Sequence, residues 1–346
     1  MQTPVTGNAS APVVLGPNQP PDRFYLGGAR IADLRGEGSP GDHVPEDWVA
    51  STTTVAGTAD LGLTVLPDGR LLRDAVAADP AGWLGPDHVS LHGDDIALLV
   101  KLLDAGERLP VHVHPDDDFA RSHLGCRNGK TEAWIILSAE PGSRVHLGFR
   151  RDVAPEQLVS WVEQQDREAL LDACHSVEVS AGDTVFVPAG LPHAIGAGIL
   201  LLELQQAADL SLLLEYAGFA IDGASEGHLG IGFDTALRCV RSDALPEDQL
   251  AQLVGRWDDA HVFPAAADRF FRAQRYVVEA KADIEPGFSV LLVAAGSGQI
   301  SSESGAVDVR TGSTVVVPYG AGRLGLRGQL EILRCLPPDP EAGSRP

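Results

Sequence analysis

One pattern occurs twice in this chain of 346 residues and limits its folds more than any other feature. From Gly182 the sequence reads G-D-T-V-F-V-P-A-G-L-P-H, ending at His193. From Gly312 it reads G-S-T-V-V-V-P-Y-G-A-G-R, ending at Arg323. Each copy is a glycine, five residues centred on a β-branched run, a proline, and a second glycine three residues before a basic side chain. A strand closed by a proline turn that feeds a second strand explains both copies, and its recurrence predicts two related β units. The rest of the chain agrees. Short Val/Ile/Leu runs at 96–103, 133–137, 184–187, 199–204, 289–294 and 314–317 are separated by some of the 38 glycines and 24 prolines. That is the texture of an all-β sandwich or barrel. Helical spacing is expected over 155–174, with Pro155 near its start, over 245–257 behind Pro246 and Glu247, and more weakly over 71–78.

The chemistry concentrates in the first unit. His112 and His114 stand in L-P-V-H-V-H-P. Alternate strand residues share a face, so the two imidazoles project together as half of a metal site. Glu132 opens the apolar run E-A-W-I-I-L, where an uncompensated charge is costly unless a cation meets it. Lys130 lies two residues earlier on the same strand face. It is one of three lysines, with Lys101 and Lys281, in a chain that has 26 Lys and Arg together. The run Asp116–Asp118 is read as capping backbone amides rather than binding metal.

Charge excludes whole classes of partner. With 48 acidic against 26 basic residues the net charge is −22, which repels nucleic-acid backbones and anionic membranes. Residues 1–21 lack a basic start followed by an apolar run, and no apolar stretch reaches the length of a membrane span. A cytoplasmic location is expected. The four cysteines, Cys126, Cys174, Cys239 and Cys335, form no C-x-x-C pair and are expected to be structural thiols.

The spacing G-x5-H-x-H from Gly106, followed by G-x5-P-x-G-x2-H from Gly182, resembles the paired motifs of the cupins, whose histidines converge on one metal inside a jelly roll. Three segments then make the resemblance narrower: V-H-V-H-P-D-D, G-K-T-E-A-W, and the stretch from Gly182 through L-L-L-E-L-Q-Q at Gln206. Together they resemble the class I mannose-6-phosphate isomerases of the shorter bacterial type, most clearly over 96–206. The resemblance implies a mainly β fold of two cupin-type jelly-roll units with helical insertions. Residues 1–240 would form the metal-binding catalytic unit, with a helical insertion near 154–175. Residues 241–346 would form a helix and a degenerate, metal-free second unit. It implies one zinc per chain on His112, His114, Glu132 and His193, with Fe, Mn, Ni and Co also compatible with these donors. It implies a proton-transfer pair, Lys130 and Glu203, and a small sugar or sugar phosphate as substrate, isomerised through an enediol.

The chain also departs from that pattern. His112 replaces a glutamine ligand, Pro110 a serine, Ala207–Ala208 an Asn-Ser pair, and Leu213 an arginine that serves the substrate phosphate. Asp209 is retained. Leucine cannot bind a phosphate, so weaker dependence on a 6-phosphate is expected unless another basic residue, such as Arg121 or Arg127, restores the contact. Two other classes fit parts of the pattern: a cupin metallo-oxygenase, because a three-His, one-Glu set suits several metals, and a non-catalytic sugar-binding cupin. Retention of Lys130 and Glu203 counts against simple binding.

Overall fold

In a computed structural model the described residues are 9–38, 41–258 and 261–340; the first eight residues of the 1–21 stretch and residues 341–346 lie outside them. The fold is mainly β. Three antiparallel sheets build two jelly-roll units, with short helices inserted between strands.

Two sheets face each other in the first unit. One has six strands in the order 254–256, 183–187, 132–139, 199–205, 99–105 and 46–49. The other has five: 212–213, 112–113, 193–195, 144–149 and 174–178. The six-stranded sheet is covered on both faces, which is why its strands read as nearly continuous apolar runs rather than alternating ones. Trp134, Ile136, Leu201 and Leu103 fill the space between the two sheets. Their neighbours Ala133, Ile135, Leu202 and Leu102 pack outward against Val290, Leu292, Val316 and Leu333 of the second unit. Period-2 alternation therefore assigns each polar residue of these strands to a side. Glu46, Trp48, Lys101, Glu132 and Glu203 share parity with the inward set.

The second unit is one seven-stranded sheet. Its path is 13–15, 314–317, 289–302, 324–336 and 272–278, with 281–284 and 305–310 attached to its sides. The N-terminal strand Val13–Leu15 thus pairs with Thr314–Val316, joining the chain's start to the second unit.

The two copies of the repeated pattern adopt similar local forms. Strand Asp183–Val187 passes through Pro188 into His193–Ile195, and strand Thr314–Val317 passes through Pro318 into Leu324–Leu336. Gly182 and Gly312 both have φ in the left-handed region, at 91° and 82°. The ends differ: His193 is fully buried, whereas Arg323 lies on the surface and pairs with Glu285 at 2.7 Å.

The expected helix over 155–174 is two helices, Pro155–Gln164 and Arg167–Ala173. Gln165 in the left-handed region, φ 53°, ends the first, and the Asp166 side chain caps the second by accepting from Ala169 N–H. The expected helix over 245–257 ends at Leu253, because Val254–Arg256 joins the sheet beside 183–185. Sheet pairing outweighs helix propensity there.

Candidate metal centre

His112 and His193 sit directly opposite one another on adjacent strands, and their ring centroids are 4.2 Å apart. His114, two residues after His112, brings its ring 4.9 Å from His112 and 4.8 Å from His193. All three are buried. Each Nδ1 faces a backbone carbonyl: His112 that of Pro110 at 2.8 Å, His114 that of Leu210 at 2.7 Å and His193 that of Leu191 at 2.8 Å. A carbonyl only accepts, so each Nδ1 carries the proton and each Nε2 presents its lone pair. The three donor atoms lie within 4.8 Å of one another, a group that can hold a metal ion. Burial, with the neighbouring rings and Lys130, holds His112 and His114 neutral well below the usual histidine range, His114 at about 3.

Glu132 enters from the facing sheet. Its Oε2 is 3.0 Å from His114 Nε2, and its Oε1 is 3.3 Å from His193 Nε2 and accepts from Trp134 Nε1 at 3.0 Å. Glu132 Oε2 and His193 Nε2 are buried and make no aligned hydrogen bond despite these close neighbours. Buried polar atoms are normally satisfied, and a shared cation would satisfy both. Burial favours the protonated Glu132 carboxyl, but Lys130 and His114 outweigh it and keep the group ionised.

Lys130 and Glu203 stand beside this cluster. Lys130 Nζ is 2.9 Å from Glu132 Oε2, 3.1 Å from His114 Nε2 and 3.6 Å from Glu203 Oε1. Burial alone would lower the lysine, yet Glu132 and Glu203 raise it above the ordinary value and keep it charged. The Glu203 carboxyl is pushed up to about 8, first by burial and then by Glu132, against the pull of Lys130 and Lys101. One buried strand pair thus holds an ammonium next to a carboxyl poised near neutrality.

The aspartate run behaves as the sequence suggests. Asp116 caps the turn by accepting from Phe119 N–H, and Asp117 accepts from Gly129 N–H and Gln206 Nε2, so neither faces the histidines.

Sequence reasoning missed the second wall of this cavity, formed by Arg23, Tyr25, Glu46, Lys101 and Asp209. Arg23 reaches Glu46 at 3.4 Å and Asp209 at 3.5 Å; Lys101 reaches the same two carboxylates at 3.7 and 3.9 Å. Tyr25 Oη and Trp48 Nε1 both donate to Glu46, at 2.5 and 2.6 Å. Burial would raise Glu46, but Arg23 and Lys101 bring it down to about 2. Strand parity with Leu103 and Ala105 was the available signal for Lys101. Arg23 had none, because only tertiary packing carries it there. Gly106 makes that docking possible: a Cβ on it would lie 2.1 Å from the Gly27 carbonyl, and its N–H donates to Leu26 O.

Leu213 is buried in the strand opposite His112 and offers no cation. Arg121 and Arg127 do not line this cavity either. Arg121 pairs with Asp118 and Arg127 with Asp95. The cavity's cations among the described residues are Arg23, Lys101 and Lys130, and each is already paired with carboxylates.

No protein-family model matches the chain. Among characterised proteins it is 29 % identical over 247 residues to mannose-6-phosphate isomerase ManA of Bacillus subtilis, covering 70 % of this chain and 76 % of that one. It is 28 % identical over 317 residues to the mannose-6-phosphate isomerase of Streptococcus mutans, covering 89 % and 93 %. The chain is thus similar in sequence to mannose-6-phosphate isomerases. The fold is similar too. The crystal structure of the Bacillus subtilis mannose 6-phosphate isomerase superposes with a TM-score of 0.76 at 20 % identity, over 94 % of this chain and 99 % of that one. Nor is any helix of the described residues long and apolar enough to cross a membrane.

Proposed function

We propose that this protein is a metal-dependent aldose–ketose isomerase that acts on mannose 6-phosphate or a related sugar, phosphorylated or not. The observation that carries the reading is the Lys130–Glu203 pair at 3.6 Å, buried against a three-histidine, one-glutamate cluster. A module that only binds sugar has no use for a proton-transfer pair.

His112, His114, Glu132 and His193 would hold one divalent ion. Zinc suits a set of imidazole and carboxylate donors, as do Fe, Mn, Ni and Co. When bound, such an ion polarises a substrate carbonyl and stabilises charge on an adjacent oxygen. The chain's own residues do the rest. Glu203, titrating near neutrality, would take the proton from one sugar carbon at a carboxylate oxygen and return it to the neighbouring carbon, through an enediol. Lys130, held charged, would donate a hydrogen bond to the oxygen that gains charge. The paired wall of Arg23, Glu46, Lys101 and Asp209 would receive the remaining hydroxyls. Four free cysteines suit a reducing compartment, and we place the protein in the cytoplasm.

The test is direct. Protein loaded with Zn2+ is incubated with mannose 6-phosphate and, separately, with mannose, and ketose is measured. Ketose formation lost in Lys130→Met and Glu203→Gln supports the reading. No ketose from either substrate, across Zn2+, Mn2+ and Fe2+, refutes it.

A further inference from the structure

A second cavity, of about 300 Å3, lies in the other unit, against the strands Arg272–Val278 and Leu324–Leu336. Gln274 is paired with Arg334 and Arg272 with Leu336, so Arg272 and Arg334 are diagonal neighbours on one face of the sheet. Arg334 is only 4 % exposed and Arg272 is half-buried. Two cations side by side in a partly buried site repel each other and lose hydration, a costly arrangement unless anions compensate it.

Two carboxylates, Asp87 and Glu285, line the cavity, both exposed. Among the described residues neither guanidinium forms an ion pair. Their hydrogen bonds go to neutral acceptors. Arg334 donates to Gln274 Oε1 at 3.3 Å and to the carbonyls of Glu285 and Gly287 at 2.9 and 3.4 Å. Arg272 donates to the carbonyls of Pro337 and Pro338 at 3.2 and 3.4 Å. Arg334 Nε is buried without a partner. Burial lowers both arginines below their ordinary value, and each arginine's charge acts on its surroundings: Arg272 lowers both Arg334 and the buried His88 on the opposite wall. Carboxylates act here only at longer range. Glu285 is held by Arg323 at the surface, while Asp339 and then Asp268 raise Arg272 against its burial. In a chain of net charge −22, a cavity with two unpaired guanidiniums stands out.

The remaining walls set the ligand's size and character. Leu84, Phe288, Tyr319 and Leu336 give them an apolar part beside the exposed Asp87 and Glu285. We propose that this cavity binds a phosphate monoester, whose oxygens are gripped by Arg272 and Arg334 while its organic group rests on that apolar part. A planar guanidinium fork matches phosphate oxygens, and two cations match its charge of nearly −2 at neutral pH. The site lies between the second unit's sheet and the Leu84–His88 segment, and its lining includes none of the residues of the proposed isomerase chemistry.

Inorganic phosphate is the minimal probe. Thermal melting of the full chain is followed against phosphate at constant ionic strength, with chloride as the balance ion. The expected result is a saturable rise in Tm that chloride does not reproduce. Arg272→Gln and Arg334→Gln should each weaken the apparent phosphate Kd at least tenfold. Arg272 is half-buried, so its variant carries the test if Arg334→Gln fails to fold. Absence of a saturable rise overturns the proposal. So does a rise that persists unchanged in both variants, which would place the phosphate at the metal centre instead. Tighter binding of acetate or succinate than of phosphate overturns the choice of a phosphate monoester.

Discussion

Replacing Glu203 by glutamine tests the electrostatics of the centre without removing a proposed metal ligand. The Glu203 side chain is buried in the strand Ile199–Gln205, with Lys130 Nζ at 3.6 Å. Burial first, and Glu132 second, push its carboxyl up to about 8. An unfolded chain releases this proton near pH 4.3. Between those values the folded state holds a proton that the unfolded state has lost, so stability falls as pH rises, by at most about 1.4 kcal/mol per pH unit from this one group. Glutamine is nearly isosteric and cannot ionise, so it removes that slope. Compared with the native chain, Glu203→Gln should therefore gain a few kcal/mol between about pH 5 and pH 8. Urea unfolding of both proteins in the presence of a chelator, at each pH unit over that range, gives the difference curve, and groups common to both cancel. Glu132→Gln is the contrasting control. Its charge is held by Lys130, so its loss should cost about 3–5 kcal/mol, and because Glu132 helps to raise Glu203 it should also reduce, without abolishing, the native slope. A Glu203→Gln difference that stays flat with pH, or that moves against the variant, would show that Glu203 is ionised in the folded protein across this range and would refute the raised carboxyl.

Four further outcomes follow from the geometry. His193→Ala, which removes the ring opposite His112, should lower Zn2+ affinity at least tenfold by competition with a chromophoric chelator; unchanged affinity would exclude His193 as a ligand. With Leu213 buried and Arg23, Lys101 and Lys130 already paired, kcat/KM for mannose should come within about tenfold of that for mannose 6-phosphate. A preference of several orders of magnitude for the ester would instead assign the ordinary activity of the relatives. Gly106→Ala places a Cβ 2.1 Å from the Gly27 carbonyl and should cost about 1–3 kcal/mol in urea unfolding by pushing the 22–27 segment off the site. Asp47→Asn leaves the buried Arg35 with only the exposed Glu37 at 3.8 Å and should cost about 3 kcal/mol, whereas a loss under about 1 kcal/mol would show that Glu37 compensates.

Much of the centre is legible in the amino-acid sequence. His112, His114, Glu132 and His193 are spaced by the pleat and by a Gly/Pro turn. Local strand geometry is nearly invariant, so spacing converts directly into direction. The repeated Gly182 and Gly312 segments point to two β units for the same reason, and Lys130 is assigned to the Glu132 face by parity alone. The break at Gln165 and the early end of the second helix at Leu253 are not legible, because a left-handed residue and a strand partner from 183–185 override periodicity. Nor is the second wall. Arg23 lies almost ninety residues before His112 and reaches the cavity only because Gly106 lets the 22–27 segment lie against the barrel. The same limit explains the arginines. Sequence alone offers Arg121 and Arg127 as cations for the substrate, but the tertiary structure pairs them elsewhere and leaves Arg272 and Arg334 unpaired in another unit. Which residues share a face is a local property of the backbone. Which charges find partners depends on contacts between segments distant in sequence, and only the folded chain decides it.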